Sequence, residues 1–251
     1  MTQTTRAMML ACGLILAASQ PALAQGELLG RWFLNVNGGF QAPGRDLPEV
    51  GAVPLYAQDL TFEGTREIGS SLIIDAAAGM HVSEAFAIGV AYSWMSDSSD
   101  VILDASVPHP LFTDRPRAAA AVLDGLGRTE HGIHLMALWR VPLLEGVDLK
   151  VGGGPSFFRV SEDGPSTATA TEVGEPFDAV AVAFGTDTRS KNGVGFNITS
   201  DITYLINERL GAGILLRYTM ASIEVPMPGG VTRDDNGVGG LQFGAGLRLR
   251  F

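Results

Sequence analysis

LQFGAGLRLRF, residues 241–251, alternates without a break. Leu241, Phe243, Ala245, Leu247, Leu249 and Phe251 fall on one face, and Gln242, Gly244, Gly246, Arg248 and Arg250 on the other. That period of two is the signature of a strand with one apolar and one polar face. A slip of one residue would exchange the faces, so the register is strongly specified.

Working back from it, the same pattern recurs. Leu210, Ala212, Ile214, Leu216, Tyr218 and Met220 alternate with Gly211, Gly213, Leu215, Arg217 and Thr219. Val194, Phe196, Ile198, Ile202, Tyr204 and Ile206 alternate with small and polar residues that include Asp201. Noisier versions centre on Val151, Ile133, Val90, Ile74 and Val36. Counted with the last, this gives eight segments, each near the ~9–11 residues of a tilted membrane-spanning strand. Short connections near 82–85, 142–146 and 207–209 trade places with long ones near 42–66, 97–128, 161–191 and 225–236. The sequence therefore predicts an all-β fold: an eight-stranded antiparallel up-and-down transmembrane barrel with short periplasmic turns and four long extracellular loops. A short helix is expected over 118–123, in the second loop.

Composition agrees. The 251 residues carry a net charge of −10, 46% hydrophobic residues, 32 glycines and one cysteine. An acidic chain is a poor match for nucleic acid, and one cysteine excludes a disulfide framework or a thiolate zinc site. Residues 1–24 read as a cleaved secretory signal, with Arg6, an apolar run from Met8 and the Ala22-Leu23-Ala24 site. Cys12 lies within that run, which continues past it, against a lipidated N-terminus. Residues 25–251 form the expected barrel domain. No stretch supplies the ~18 apolar residues of a spanning helix, which leaves the closed barrel as the route into a membrane. A soluble lipocalin-like barrel would put its apolar face inside. The small residues of the polar face and an apolar-face girdle of Trp32, Phe40, Phe86, Trp94, Trp139, Tyr204 and Tyr218 argue for lipid outside.

The stretch GVGGLQFGAGLRLRF at 237–251 resembles the last strand of outer-membrane barrels, whose terminal aromatic is read by the barrel-assembly machinery. Phe243, Leu249 and Phe251 would carry that signal. With the leader and eight segments, the chain resembles the small OmpA/OmpX-type outer-membrane β-barrel family. The resemblance implies the bacterial outer membrane, contact with its lipid and lipopolysaccharide, and no cofactor. The periplasmic peptidoglycan-binding domain of OmpA is expected to be absent.

The predicted lumen set is Asp75, Arg140, Asp148, Lys150, Asp201, Arg217, Arg248 and Arg250. Buried charges must be paired or hydrated. An ion-pair network that plugs the lumen is the expectation, with Asp201 and Arg217 in one network. A small channel or hydrophobic-solute conduit is the alternative. A third reading is a lipid A-modifying enzyme, but none of His81, His109, His131 and His134 has the Ser at i+2 that the deacylase pattern requires. His131 and Glu130 point to opposite faces of a strand, as do His131 and His134, so neither pair makes an acid–base couple or a metal site by spacing. Gly152-Gly153-Gly154-Pro155 stands in a strand, where glycines serve close approach and not a phosphate cradle. No catalytic, cofactor or metal residue is expected. Surface specificity, with an unknown ligand, is expected in the acidic loops.

Overall fold

A computed structural model describes residues 31–42 and 45–251. The signal segment and its cleavage site lie outside the described residues. Among the described residues there are ten strands: β1 (Trp32–Gln41), β2 (Arg45–Leu55), β3 (Gln58–Ile68), β4 (Ser71–His81), β5 (Phe86–Val107), β6 (Arg117–Leu144), β7 (Val147–Glu172), β8 (Val180–Leu205), β9 (Leu210–Pro226) and β10 (Thr232–Arg250). Eight of them close a ring in the order β1-β4-β5-β6-β7-β8-β9-β10, and β10 returns to β1 through Phe33↔Arg250 to Gln41↔Gln242. Every pairing is antiparallel. Strands β2 and β3 form an extra hairpin, joined to the ring by Thr61–Gly64 of β3 against β5.

Short turns close one end. Gly146 takes φ +76°, which suits glycine. Asn207 Oδ1 accepts from the backbone N–H groups of Arg209 and Leu210, at 2.9 and 2.7 Å, an Asx turn that starts β9.

The other end departs from expectation. The segments expected as long loops are mostly strand: β5, β6, β7 and β8 run for 22 to 28 residues, well past membrane length. The expected helix over 118–123 is instead part of β6, paired from Ala118↔Ser106 to Leu123↔Val101. Alanine favours a helix, but the inward row Val101, Leu103, Ala105 and Val107 of β5 offers this segment a partner and a core. Leu60 and Phe62 of β3 and Leu123 and Leu126 of β6 complete that core. The β7–β8 hairpin lies across it with Ala168, Ala170, Val180, Val182 and Phe184; Phe62 and Phe184 meet edge-on, centroids 5.1 Å apart. The long end is thus a small apolar sandwich set on the barrel.

Glycines 152–154 explain how β7 sits so close to its neighbours. A Cβ on Gly152 would come within 1.9 Å of the Ala137 carbonyl oxygen, and one on Gly153 within 2.1 Å of that of Asn197. Glycine is required there by backbone approach.

Candidate functional site

The wall is apolar outside and polar inside. All seven expected girdle residues face outward and are exposed. Trp32, Phe86, Trp139 and Tyr204 ring the short-turn end, where Phe86 packs on Trp139 at 4.7 Å. Phe40, Trp94 and Tyr218 ring the other, where Phe40 stacks on Phe243 at 5.3 Å. Leu249 of β10 lies opposite Leu34 of β1, and Phe251, just past β10, exchanges backbone hydrogen bonds with Trp32.

Inside, the expected lumen residues gather into two groups. Near the short turns, Asp148 accepts from Arg140 at 3.0 Å and from Arg250. Deeper, Arg248 grips Asp201 through Nε and Nη2 at 3.2 and 2.6 Å, and Arg217 meets Asp75 at 2.5 Å. Asn37 joins the two pairs: it donates to Asp75 at 2.9 Å and accepts from Arg248 at 2.7 Å. Asp201 and Arg217 therefore share a network through Asn37 and Asp75, with no direct contact between them required. Lys150, directly opposite Asp201 in the ladder, holds its ammonium 4.2 Å from the centre of the Phe33 ring, a cation–π arrangement. Phe33 belongs to an apolar plug with Ala77, Ala87, Ala91, Met136 and Leu138, so the inner face is not uniformly polar. The space left between Lys150, Asp201 and Arg217 is about 10 Å³, room for roughly one water.

The next layer up escaped the sequence reading. His134, fully buried, contacts Ser93 Oγ of β5 at 2.9 Å and Ser156 Oγ of β7 at 2.8 Å, and Asn197 donates to Ser156 at 3.0 Å. The serines come from neighbouring strands, not from the i+2 position; Ser156 lies directly across from His134 in the ladder. Both ring nitrogens are engaged by hydroxyls, and no carboxylate is among those partners.

Just beyond the apolar belt is a second charged layer. Arg128 binds Glu130 at 2.8 Å, Glu162 at 2.5 Å and Asp235 at 2.8 Å. Arg233 binds Glu49 at 2.7 Å, and also Glu162. Arg66 donates to Ser99 at 2.8 Å, to the Asp163 carbonyl at 2.9 Å and to that of Leu126. Burial opposes the Arg128 charge, but Glu130, Asp235 and Glu162 outweigh it and hold the guanidinium above its ordinary pKa. Burial is also the main influence on Glu49 and raises its carboxyl, against the pull of Arg233. These residues lie in segments that looked like loops, so their inward parity carried no weight. The alternation of Arg128 and Glu130 with Thr129 was the available signal.

At the far tip, Arg117 clamps Glu172 and the Pro108 and Phe177 carbonyls, and Tyr56 of the β2–β3 turn donates to Glu172 at 2.9 Å. Nearby, a groove of about 940 Å³ follows the face of β2, β3, β5 and β6. Two cross-strand rows form it: Ala52, Thr61, Ser106, Ala118 and Val50, Glu63, Asp104, Ala120.

His131 lies on the outer rim with its Nδ1 2.7 Å from the Tyr92 hydroxyl, and His109 accepts from the Leu111 and Phe112 N–H groups. Among the described residues, no group of three or more His, Cys, Asp or Glu side chains is arranged to hold a metal.

A closed sheet with paired charges inside and an aromatic-rimmed apolar belt outside defines a class by architecture: the transmembrane β-barrel. Structural comparison finds similarity to Neisserial surface protein A, at 11% identity and a TM-score of 0.47, over 88% of this chain and 97% of that one. The attachment invasion locus protein of Yersinia pestis gives 7% identity and 0.37, over 87% and 99%. Outer membrane protease OmpT from Escherichia coli gives 9% and 0.40, over 93% and 99%. No family of known sequences matches the chain, and no curated protein does.

Proposed function

We propose that this is a non-enzymatic integral outer-membrane protein. Its own side chains close its lumen, and its long-hairpin end, facing outward from the cell, meets surface ligands. The filled lumen carries this reading: across the belt the interior is occupied by paired charges, a histidine–serine chain and an apolar plug, and the cavity among Lys150, Asp201 and Arg217 measures about 10 Å³. Ion pairs of this kind are costly to open, which disfavours a standing pore. The sandwich supports the second half. It is an ordered platform with a concave face, and a platform of this type suits binding more than a mobile fringe does. On that face Glu63 stands directly opposite Asp104, a like-charge pairing that opposes the sheet and favours ligands carrying positive charge.

Planar-bilayer conductance of the refolded chain tests this, with folding shown by the altered gel mobility of unboiled samples. Silence from folded protein is the expected result. Reproducible discrete openings that change when Arg217 or Asp201 is neutralised would replace the plugged barrel with a channel.

A further inference from the structure

The β2–β3 hairpin is an insertion that the ring does not need. β1 and β4 pair directly, up to Gln41↔Ser71, so the ring closes without it. On one side β3 reaches β5 through Thr61–Gly64 alone. On the other, β2 has no strand partner among the described residues. β10 passes that edge without pairing, since it joins β1 only from Gln242 onward. Towards the tip the turn Pro228–Gly230 fills this seam; a Cβ on Gly229 would lie 2.8 Å from that of Ala52. Further down a buried ion pair crosses it: Glu49 Oε1 accepts from Arg233 Nη1 at 2.7 Å.

That pair is short of positive charge. Glu49 is 1% exposed, and its Oε2 is buried with no hydrogen-bond partner. Arg233 also holds Glu162, and Arg128 holds Glu162, Glu130 and Asp235. Of the elements packed on β2, β3 brings Arg66 to the inner face, β7 brings Glu162, and β10 brings Arg233 and Asp235. The turn Pro228–Gly230 brings no charge. Asp46 of β2, Glu63 and Glu67 of β3 and Asp234 of β10 point the other way and are exposed. Within the layer the carboxylates of Glu49, Glu130, Glu162 and Asp235 thus meet only the guanidiniums of Arg66, Arg128 and Arg233. Asp97, opposite Arg128 in the ladder, adds to the excess. An uncompensated buried charge is costly, and such a group is commonly neutralised instead. One proton on Glu49 Oε2 achieves this. Oε1 remains an acceptor for Arg233, and Arg233 keeps Glu162 as its counter-ion. Burial pushes the Glu49 carboxyl the same way, above its ordinary value.

We propose that the β2–β3 hairpin is a proton-operated latch at the long-hairpin end of the barrel: proton uptake by Glu49 fastens it, and ionisation of Glu49 loosens it. In a freed hairpin Glu49 meets water and titrates at ~4.3. Docked, it holds its proton to higher pH. Docking is therefore most stable below the free value and weakens as pH rises through the docked one. The sign is opposite to that of a buried salt bridge that acid breaks. The hairpin supplies Val50, Ala52, Thr61 and Glu63, half of the groove floor, so the groove is most fully assembled in mild acid. That consequence rests on the groove being a binding face; the latch itself does not.

Hydrogen exchange of the refolded full chain tests it, read by mass spectrometry and corrected for intrinsic rate, between about pH 5 and pH 8. An isolated two-stranded hairpin is marginal in water, so undocking registers as exchange. Peptides covering 47–53 should gain protection as pH falls, about tenfold for each unit by which docking lifts Glu49. Peptides covering 196–202 in β8 should stay constant. In Glu49→Gln, which copies the protonated side chain, 47–53 should keep the acid level of protection at every pH. Glu162→Gln leaves Arg233 to Glu49 alone and should move the gain in protection to lower pH; it carries the test if Glu49→Gln fails the gel-mobility check for folding. Glu172, held below the ordinary glutamate value, is ionised throughout this range, so the tip clamp does not contribute. Flat protection of 47–53, or protection that falls on acidification, would overturn the latch. So would wild-type pH dependence in Glu49→Gln. Each of these failures leaves the plugged barrel standing, because the ring closes without the hairpin.

Discussion

Arg248 holds Asp201 through two nitrogens inside the barrel, and both side chains are buried. Removing one partner strands the other, at a cost of ~3–5 kcal/mol. Asp201→Ala should therefore lower the denaturant midpoint for unfolding far more than loss of the rim residue Arg140, whose side chain is 30% exposed. The network also has a shape that double-mutant cycles can read. Asp75 and Arg217 touch, so their coupling should fall in the upper part of the ~0.5–3 kcal/mol range for contacting pairs. Asp201 and Arg217 are linked through Arg248, Asn37 and Asp75, so their coupling should be smaller and should fall further in an Asn37→Ala background. Equal coupling in the two cycles would contradict the geometry. At Gly152 a Cβ has no room beside Ala137, and Gly152→Val should abolish the mobility shift of the folded barrel.

The hairpins are where element-scale reasoning changes the picture. The tip of β2–β3 is tied to β7 by Tyr56, Glu172 and Arg117. The hydrogen bond from Arg117 holds the Glu172 carboxyl below the ordinary glutamate value, while Glu172 pushes the Tyr56 hydroxyl up. A depressed carboxyl contributes stability that is complete above its unfolded pKa of ~4.3 and is lost as pH falls through the lower folded value. Hydrogen exchange around residues 55–58, corrected for intrinsic rate, should stay slow at neutral pH and quicken once pH drops below that range. Glu172→Gln should remove this pH dependence, and a pH-dependent tip in that variant would contradict the clamp. Limited proteolysis should cut the connectors 108–116 and 173–179 before it cuts 161–172, because the latter is paired strand.

For the whole molecule, the sequence made the ring legible because lipid outside and packed charge inside impose one parity on every strand. The last strand, LQFGAGLRLRF, displays it without interruption, and its inward Arg248 and Arg250 do lie among the lumen charges. What lay beyond the belt was harder to read. Strands there face water on one side and a small core on the other, so Val101, Leu103 and Ala105 alternate with Ile102 and Asp104 too weakly to separate strand from loop. Cross-strand groupings such as Ser93, His134 and Ser156 depend on register between segments, which spacing along one segment does not reveal. The central claim is that one parity faces lipid and the other a closed interior. Spin labels placed one at a time along β8, with Cys12 replaced, test it most directly. Labels at Phe196, Ile198 and Ile202 should be accessible to oxygen dissolved in the bilayer and shielded from a water-soluble nickel reagent. Those at Asn197, Thr199 and Thr203 should be shielded from both. Access of the nickel reagent to the second set would mean a water-filled pore, and loss of the alternation would mean that this sheet does not line a membrane at all.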